Sequence, residues 1–130
     1  DPNLRRCAVV QRIHKIALVT DDVEGAVKYY TQVLGLELAE RFPVDGDEDF
    51  VFLKAGDITL ELMPKKTMEA EVGFHHISFR VDDVDNSAQD LKNEGVDMEV
   101  EPMDAGVGGI RLGFFRGPNN VRLQLFERNQ

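Results

Sequence analysis

The sequence predicts an α+β protein of two βαβββ modules that form a curved sheet or barrel around a cavity, and three observations predict it. First, Ile13-His14-Lys15-Ile16-Ala17-Leu18-Val19-Thr20-Asp21-Asp22-Val23 returns 61 residues later as Phe74-His75-His76-Ile77-Ser78-Phe79-Arg80-Val81-Asp82-Asp83-Val84. Second, each copy passes from strand-like alternation to helical spacing, as a strand feeding a helix does. Third, the ends of the copies match, since Leu60-Glu61-Leu62 corresponds to Leu123-Gln124-Leu125. The 130 residues are therefore read as a single domain with modules at about 12–63 and 74–128. The polar segment 64–73 is the linker between them.

Each element follows from local chemistry. In the opening strands Ile16 and Leu18, and Ile77 and Phe79, share a face expected to lie against a helix. The other face carries Lys15, Ala17 and Val19 in one copy and His76, Ser78 and Arg80 in the other, and is expected to be polar and open. His14 and His75 fall on the apolar side, as packed or strand-end residues. Asp22 and Asp83 stand where helix caps stand, because a carboxylate accepts the orphan N–H groups of a first turn. The helical stripes are Val23, Val27, Tyr30 and Leu34, then Val84, Ala88 and Leu91. Gly35 and Gly95 can take the left-handed conformation that ends each helix. Further strands are expected at Glu37–Phe42, 49–54 and 57–63, then at 98–101, 109–115 and 120–127. Gly117-Pro118-Asn119-Asn120 reads as a hairpin turn, and the glycines at 106, 108 and 109 as a mobile loop over the cavity.

Composition excludes several functions. Net charge is −9 with no basic stripe, which disfavours nucleic acid. Apolar runs are far shorter than the ~20 residues a membrane helix needs, and the start lacks the pattern of a secretory signal. The single cysteine, Cys7, excludes an internal disulfide and fits a reducing, cytoplasmic compartment.

In the last strand of each module, parity places Glu61 and Met63, and Arg122, Gln124 and Phe126, on the face that carries Lys15 and His76. The cavity is therefore expected to gather Lys15, Glu61, His76 and Gln124. Met63, Met103 and Phe126 would line it, and Ser78, Arg80, Arg111 and Arg122 would contact a ligand. Cations converging there would favour a small anion.

The segments Asp22-Val23-Glu24-Gly25-Ala26-Val27-Lys28-Tyr29-Tyr30, Val33-Leu34-Gly35-Leu36, Thr59-Leu60-Glu61-Leu62, His75 to Asp83 and Phe115-Arg116-Gly117-Pro118 through Glu127 resemble the vicinal oxygen chelate superfamily. This group of glyoxalase, bleomycin resistance and dioxygenase proteins uses one fold for lyase, isomerase, oxygenase and sequestering functions. The resemblance covers about 13–127. It implies a homodimer and, in metal-dependent members, one ligand from each of four strands, at positions 15, 61, 76 and 124.

Glu61, His76 and Gln124 suit a divalent ion such as Ni, Co, Mn, Fe or Zn, with Glu61 and Gln124 acting in catalysis. Lys15 does not, since an ammonium has donors and no lone pair. Three readings stay open. One is a metal-dependent lyase or isomerase of the glyoxalase I or methylmalonyl-CoA epimerase type. Another is a metal-free ligand-sequestering protein in which Lys15 replaces the ion. The third is a satisfied polar core without catalytic function. All share a small anionic or carbonyl-containing partner except the last.

Overall fold

The structure, a computed structural model, describes residues 10–129; Cys7 lies outside them. The element order is β1 (Arg12–Thr20), α1 (Val23–Lys28), a π-helical turn (Tyr29–Val33), β2 (Glu37–Phe42), β3 (Phe50–Ala55), β4 (Ile58–Pro64) and α2 (Lys65–Met68). The second copy follows as β5 (Gly73–Arg80), α3 (Val84–Asn93), β6 (Met98–Asp104), β7 (Ile110–Arg116), a 3₁₀ turn (Pro118–Asn120) and β8 (Arg122–Arg128). The chain is thus α+β with the repeated order the sequence predicts. The segment expected to be only a linker holds the short helix α2, whose Met68 packs on Ala17, Val19 and Met63.

Two compact units divide the described residues, one running from His14 to Ser78 and the other comprising residues 79–129 with residues 10–13. In the first, the strand order is β2-β3-β4-β1, with β1 and β4 parallel and the remaining pairs antiparallel. In the second it is β8-β7-β6, antiparallel throughout. β2 is the outer strand of the first unit and β6 that of the second.

The helix of each unit covers an apolar sheet face. Val23 and Val27 pack with Val51, Leu53 and Leu62 in the first unit. Val84 and Ala88 pack with Val81, Phe115 and Leu125 in the second. Burial of one such aliphatic side chain contributes about 1.5–3 kcal/mol, so these stripes hold the helices in place.

The first stripe departs from the expected 3.6-residue spacing. The turn after Lys28 is π-helical, with Leu34 N–H donating to Tyr29 O. Its extra residue rotates Leu34 away from the core into water, and Leu36 packs there instead.

Each helix start is held twice. Asp22 and Asp83 accept from the N–H groups of Gly25 and Asn86 as the sequence predicts. A distant carboxylate completes each cap: Glu48 accepts from Val23 N at 3.0 Å, and Glu127 from Val84 N at 2.8 Å. The loop at 105–109 is a turn tied to β8, with Arg128 Nε donating to Gly108 O at 2.9 Å and Asn129 N to Gly109 O at 3.0 Å. Gly109 has φ +66, and a Cβ there would stand 2.5 Å from Asn129 O, so only glycine fits.

Glu48→Ala removes the carboxylate from the positive end of α1. Urea denaturation is expected to show a loss of about 1 kcal/mol with an unchanged m-value.

Candidate functional site

The face of β1 expected to be open is the buried one: Lys15 (2% exposed), Ala17 and Val19 are enclosed, while Ile16 is partly exposed. The same inversion holds in β5, where His76 (1%) and Ser78 (0%) are buried. A polar face can be enclosed only if its charges find partners, and the register supplies them. In the parallel β1–β4 pair Lys15 lies opposite Thr59 and Ala17 opposite Glu61. Lys15 and Glu61 are thus two positions apart on one face, a gap the long lysine side chain spans.

Lys15 Nζ stands 2.9 Å from Glu61 Oε1 and 3.5 Å from His76 Nε2. Glu61 is 8% exposed, and His76 Nε2 lies 4.0 Å from its Oε1. The ion pair is not an aligned hydrogen bond, and Glu61 Oε1 and Ser78 Oγ are buried without a hydrogen-bonding partner. Phe52 walls this cluster, with Lys15 Nζ 6.0 Å from its ring centroid and Phe42 edge-on behind it at 4.9 Å. The sequence reading missed Phe52. Its signal was the β3–β4 register, which sets Phe52 directly opposite Glu61.

The structure therefore brings Lys15, Glu61 and His76 together within the first unit. Met63 is packed on Ala17 and Val19. Gln124 belongs to the second unit, where it is buried (3%) on β8 opposite Phe114 of β7.

The arginines each have protein partners. Arg80 donates to Arg128 O at 3.0 Å and lies over the Phe126 ring. Arg122 meets Glu99 at 3.5 Å. Arg111 forks onto Asp85 with two 2.8 Å hydrogen bonds and reaches Asp104 at 3.2 Å. These carboxylates raise the Arg111 pKa. Met103, expected to line the cavity, is exposed on β6, where the β6–β7 register shifts.

A divalent ion does not fit the first-unit cluster. Lys15 occupies one of the four strand positions that the resemblance assigns to ligands and brings a cation against Glu61, the one anionic donor. Among the described residues no three His, Cys, Asp or Glu side chains converge as a metal would require.

A family model described as the Glyoxalase/Bleomycin resistance protein/Dioxygenase superfamily matches residues 12–125. The chain belongs to this superfamily. The YraH protein of Bacillus subtilis is 24% identical over 89% of this chain and 98% of its own. Human mitochondrial methylmalonyl-CoA epimerase is 25% identical over 75% of this chain and 62% of its own. Among solved structures, methylmalonyl-CoA epimerase from Mycobacterium tuberculosis superposes with a TM-score of 0.80 at 20% identity, covering 98% of this chain and 95% of that one. A methylmalonyl-CoA epimerase in complex with methylmalonyl-CoA and NH4+ gives 0.75 at 24% identity, covering 92% and 95%.

Glu61→Gln leaves the Lys15 ammonium buried opposite a neutral amide, and chemical denaturation is expected to show a loss of about 3–5 kcal/mol. The double variant Lys15→Met/Glu61→Leu removes both charges and is expected to match or exceed the wild-type stability.

The Arg111 hydrogen bond holds the Asp85 carboxyl below its ordinary value, against a smaller opposing effect of desolvation. This contribution is complete above the unfolded carboxyl's pKa of ~3.9 and is lost as pH falls through the lower folded value. The pair is exposed and screened, so the effect is small. Acid titration of stability is expected to be slightly shallower in Asp85→Asn.

Proposed function

We propose that this protein binds a small carbonyl- or carboxylate-bearing molecule at Lys15, Glu61 and His76 and moves a proton next to that carbonyl, in the manner of an epimerase or isomerase, without a resident divalent ion. The observation that carries the reading is the enclosed Lys15 ammonium, 2.9 Å from Glu61 and 3.5 Å from His76. An oriented ammonium in a water-poor site stabilises the negative charge that grows on an enolate oxygen. Glu61, whose Oε1 lacks an aligned hydrogen bond, is the carboxylate to accept the carbon-bound proton. Ser78 Oγ, two positions along β5 from His76 on the same face, is a second buried atom that a ligand would satisfy.

The relatives named as epimerases support the reaction class. The solved epimerase that holds NH4+ supports an ammonium in this fold, here one carried by a side chain. A cytoplasmic homodimer belongs to the same proposal.

Glu61 is engaged by Lys15, and that pairing favours a second reading, a sequestering cup that binds the same molecules and leaves them unchanged. Proton NMR in D₂O separates the two, with methylmalonyl-CoA and simple 2-oxo acids as probes. Loss of the proton next to the carbonyl, unaffected by EDTA and abolished in Glu61→Gln, is the expected result. Binding without exchange would establish the cup, and exchange that EDTA abolishes would overturn the metal-free mechanism.

Lys15→His replaces the ammonium by a ligand with a lone pair. Calorimetric titration with Ni or Mn is expected to show one tight site per chain in the variant and none in the wild type.

A further inference from the structure

We infer that α2 is a lid beside the Lys15–Glu61 site, latched by Asp47 and hinged at Glu69, and that a ligand enters when the latch opens. Lys15, Glu61 and His76 are all buried. The molecule of the proposed function, on which this part of the inference rests, therefore reaches them only when a covering element moves. The first unit sets one such element on the face in question. Ala17 lies opposite Glu61 in the β1–β4 register and two residues from Lys15 on the same strand face. Ala17, Val19 and Met63 form a buried cluster, and the partly buried Met68 of α2 and Ala70 beyond it pack against that cluster.

α2 is too short to hold itself together. Four residues make a single turn without a side-chain cap, and isolated helices of that length do not persist in water. The turn closes with Glu69 N–H donating to Lys65 O at 2.8 Å. Glu69 itself has φ +50, a left-handed conformation that disfavours any residue with a Cβ.

The loop at 43–49 supplies the latch. The Asp47 carboxylate accepts from Thr67 N–H at 2.9 Å and from the Thr67 hydroxyl, and Lys66 Nζ donates to Gly46 O at 3.3 Å. The loop is anchored on its other side, because Glu48 caps α1 and Phe50 packs on the same cluster as Met68. The latch bonds are exposed to water, where each contributes little. A single turn held by exposed hydrogen bonds and two half-buried side chains belongs to the part of a structure that opens first. Its release leaves β1 and β4 paired and uncovers Ala17, Val19 and Met63 beside Glu61.

The test reads access to the Lys15 amine, which needs no ligand. Reductive methylation by formaldehyde and cyanoborohydride, followed by mass spectrometry, gives the labelling rate at Lys15, with the exposed Lys28 as reference in the same sample. Asp47→Ala is expected to speed Lys15 labelling about tenfold, as the loss of the hydrogen bonds to one side chain predicts. Glu69→Gly relieves the left-handed strain and is expected to slow it about threefold. Amide exchange at Glu69 is expected to follow the same order. Lys15 labelling indifferent to both variants, while Glu69 exchange responds, would overturn the lid. Equal acceleration of exchange at Leu53 in β3 would mean that the whole unit opens, and would overturn it as well.

Methylmalonyl-CoA is the ligand probe, with its association rate read by surface plasmon resonance. That rate is expected to rise in Asp47→Ala and fall in Glu69→Gly. Binding rates indifferent to both variants would mean that the ligand enters elsewhere and would overturn α2 as its gate. Labelling that responds as expected, with no binding of methylmalonyl-CoA, would support the lid and count against the proposed function.

Discussion

The buried Lys15–Glu61 ion pair is the constraint around which the first unit is arranged. Neither charge can be enclosed alone, because an unpaired buried ion costs several kcal/mol. The parallel β1–β4 register meets this requirement by setting Lys15 and Glu61 two positions apart on one face. Once paired, they allow Ala17, Val19, Met63 and His76 to be enclosed on the same side. Phe52 excludes water from the pair and offers its ring face to the ammonium, a contact that strengthens as water is removed. The cation at this site is thus part of the covalent chain, held by a strand rather than borrowed from solution.

That arrangement changes what the superfamily's scaffold can do here. A divalent ion is a Lewis acid with exchangeable positions, whereas an ammonium is a hydrogen-bond donor of fixed origin. It can orient an oxygen and stabilise developing charge, and it cannot coordinate two oxygens as a metal does. Proton transfer next to a carbonyl needs only the first of these abilities. Glu61 and His76 keep positions that the resemblance assigns to metal ligands, but their partner is Lys15.

Much of the fold was legible because the chain states its pattern twice. Asp22 and Asp83 cap the helices, Gly35 and Gly95 have φ of +80 and +89, and β2 occupies its expected residues. All of these depend on neighbours within a few positions. The π-helical turn was not legible, since 3.6-residue spacing and its local excess look alike in residues 27–34; the displacement of Leu34 by Leu36 is the result. Nor were the caps from Glu48 and Glu127, which arrive from 25 and 43 residues away.

For the site, the sequence by itself determined which residues share a strand face, because alternation is a local property. Lys15, Glu61, His76 and Gln124 were singled out on that basis. Whether such a face meets water or protein depends on what packs over it, and here tertiary structure decided against the open polar surface that residue type suggests. It likewise decided that Arg111 is held by Asp85 and Asp104, that Phe52 walls the ion pair, and that His75 meets His76 across the strand. Each of these outcomes depends on distances between side chains, set by strand register and packing, and a linear order of residues does not contain them.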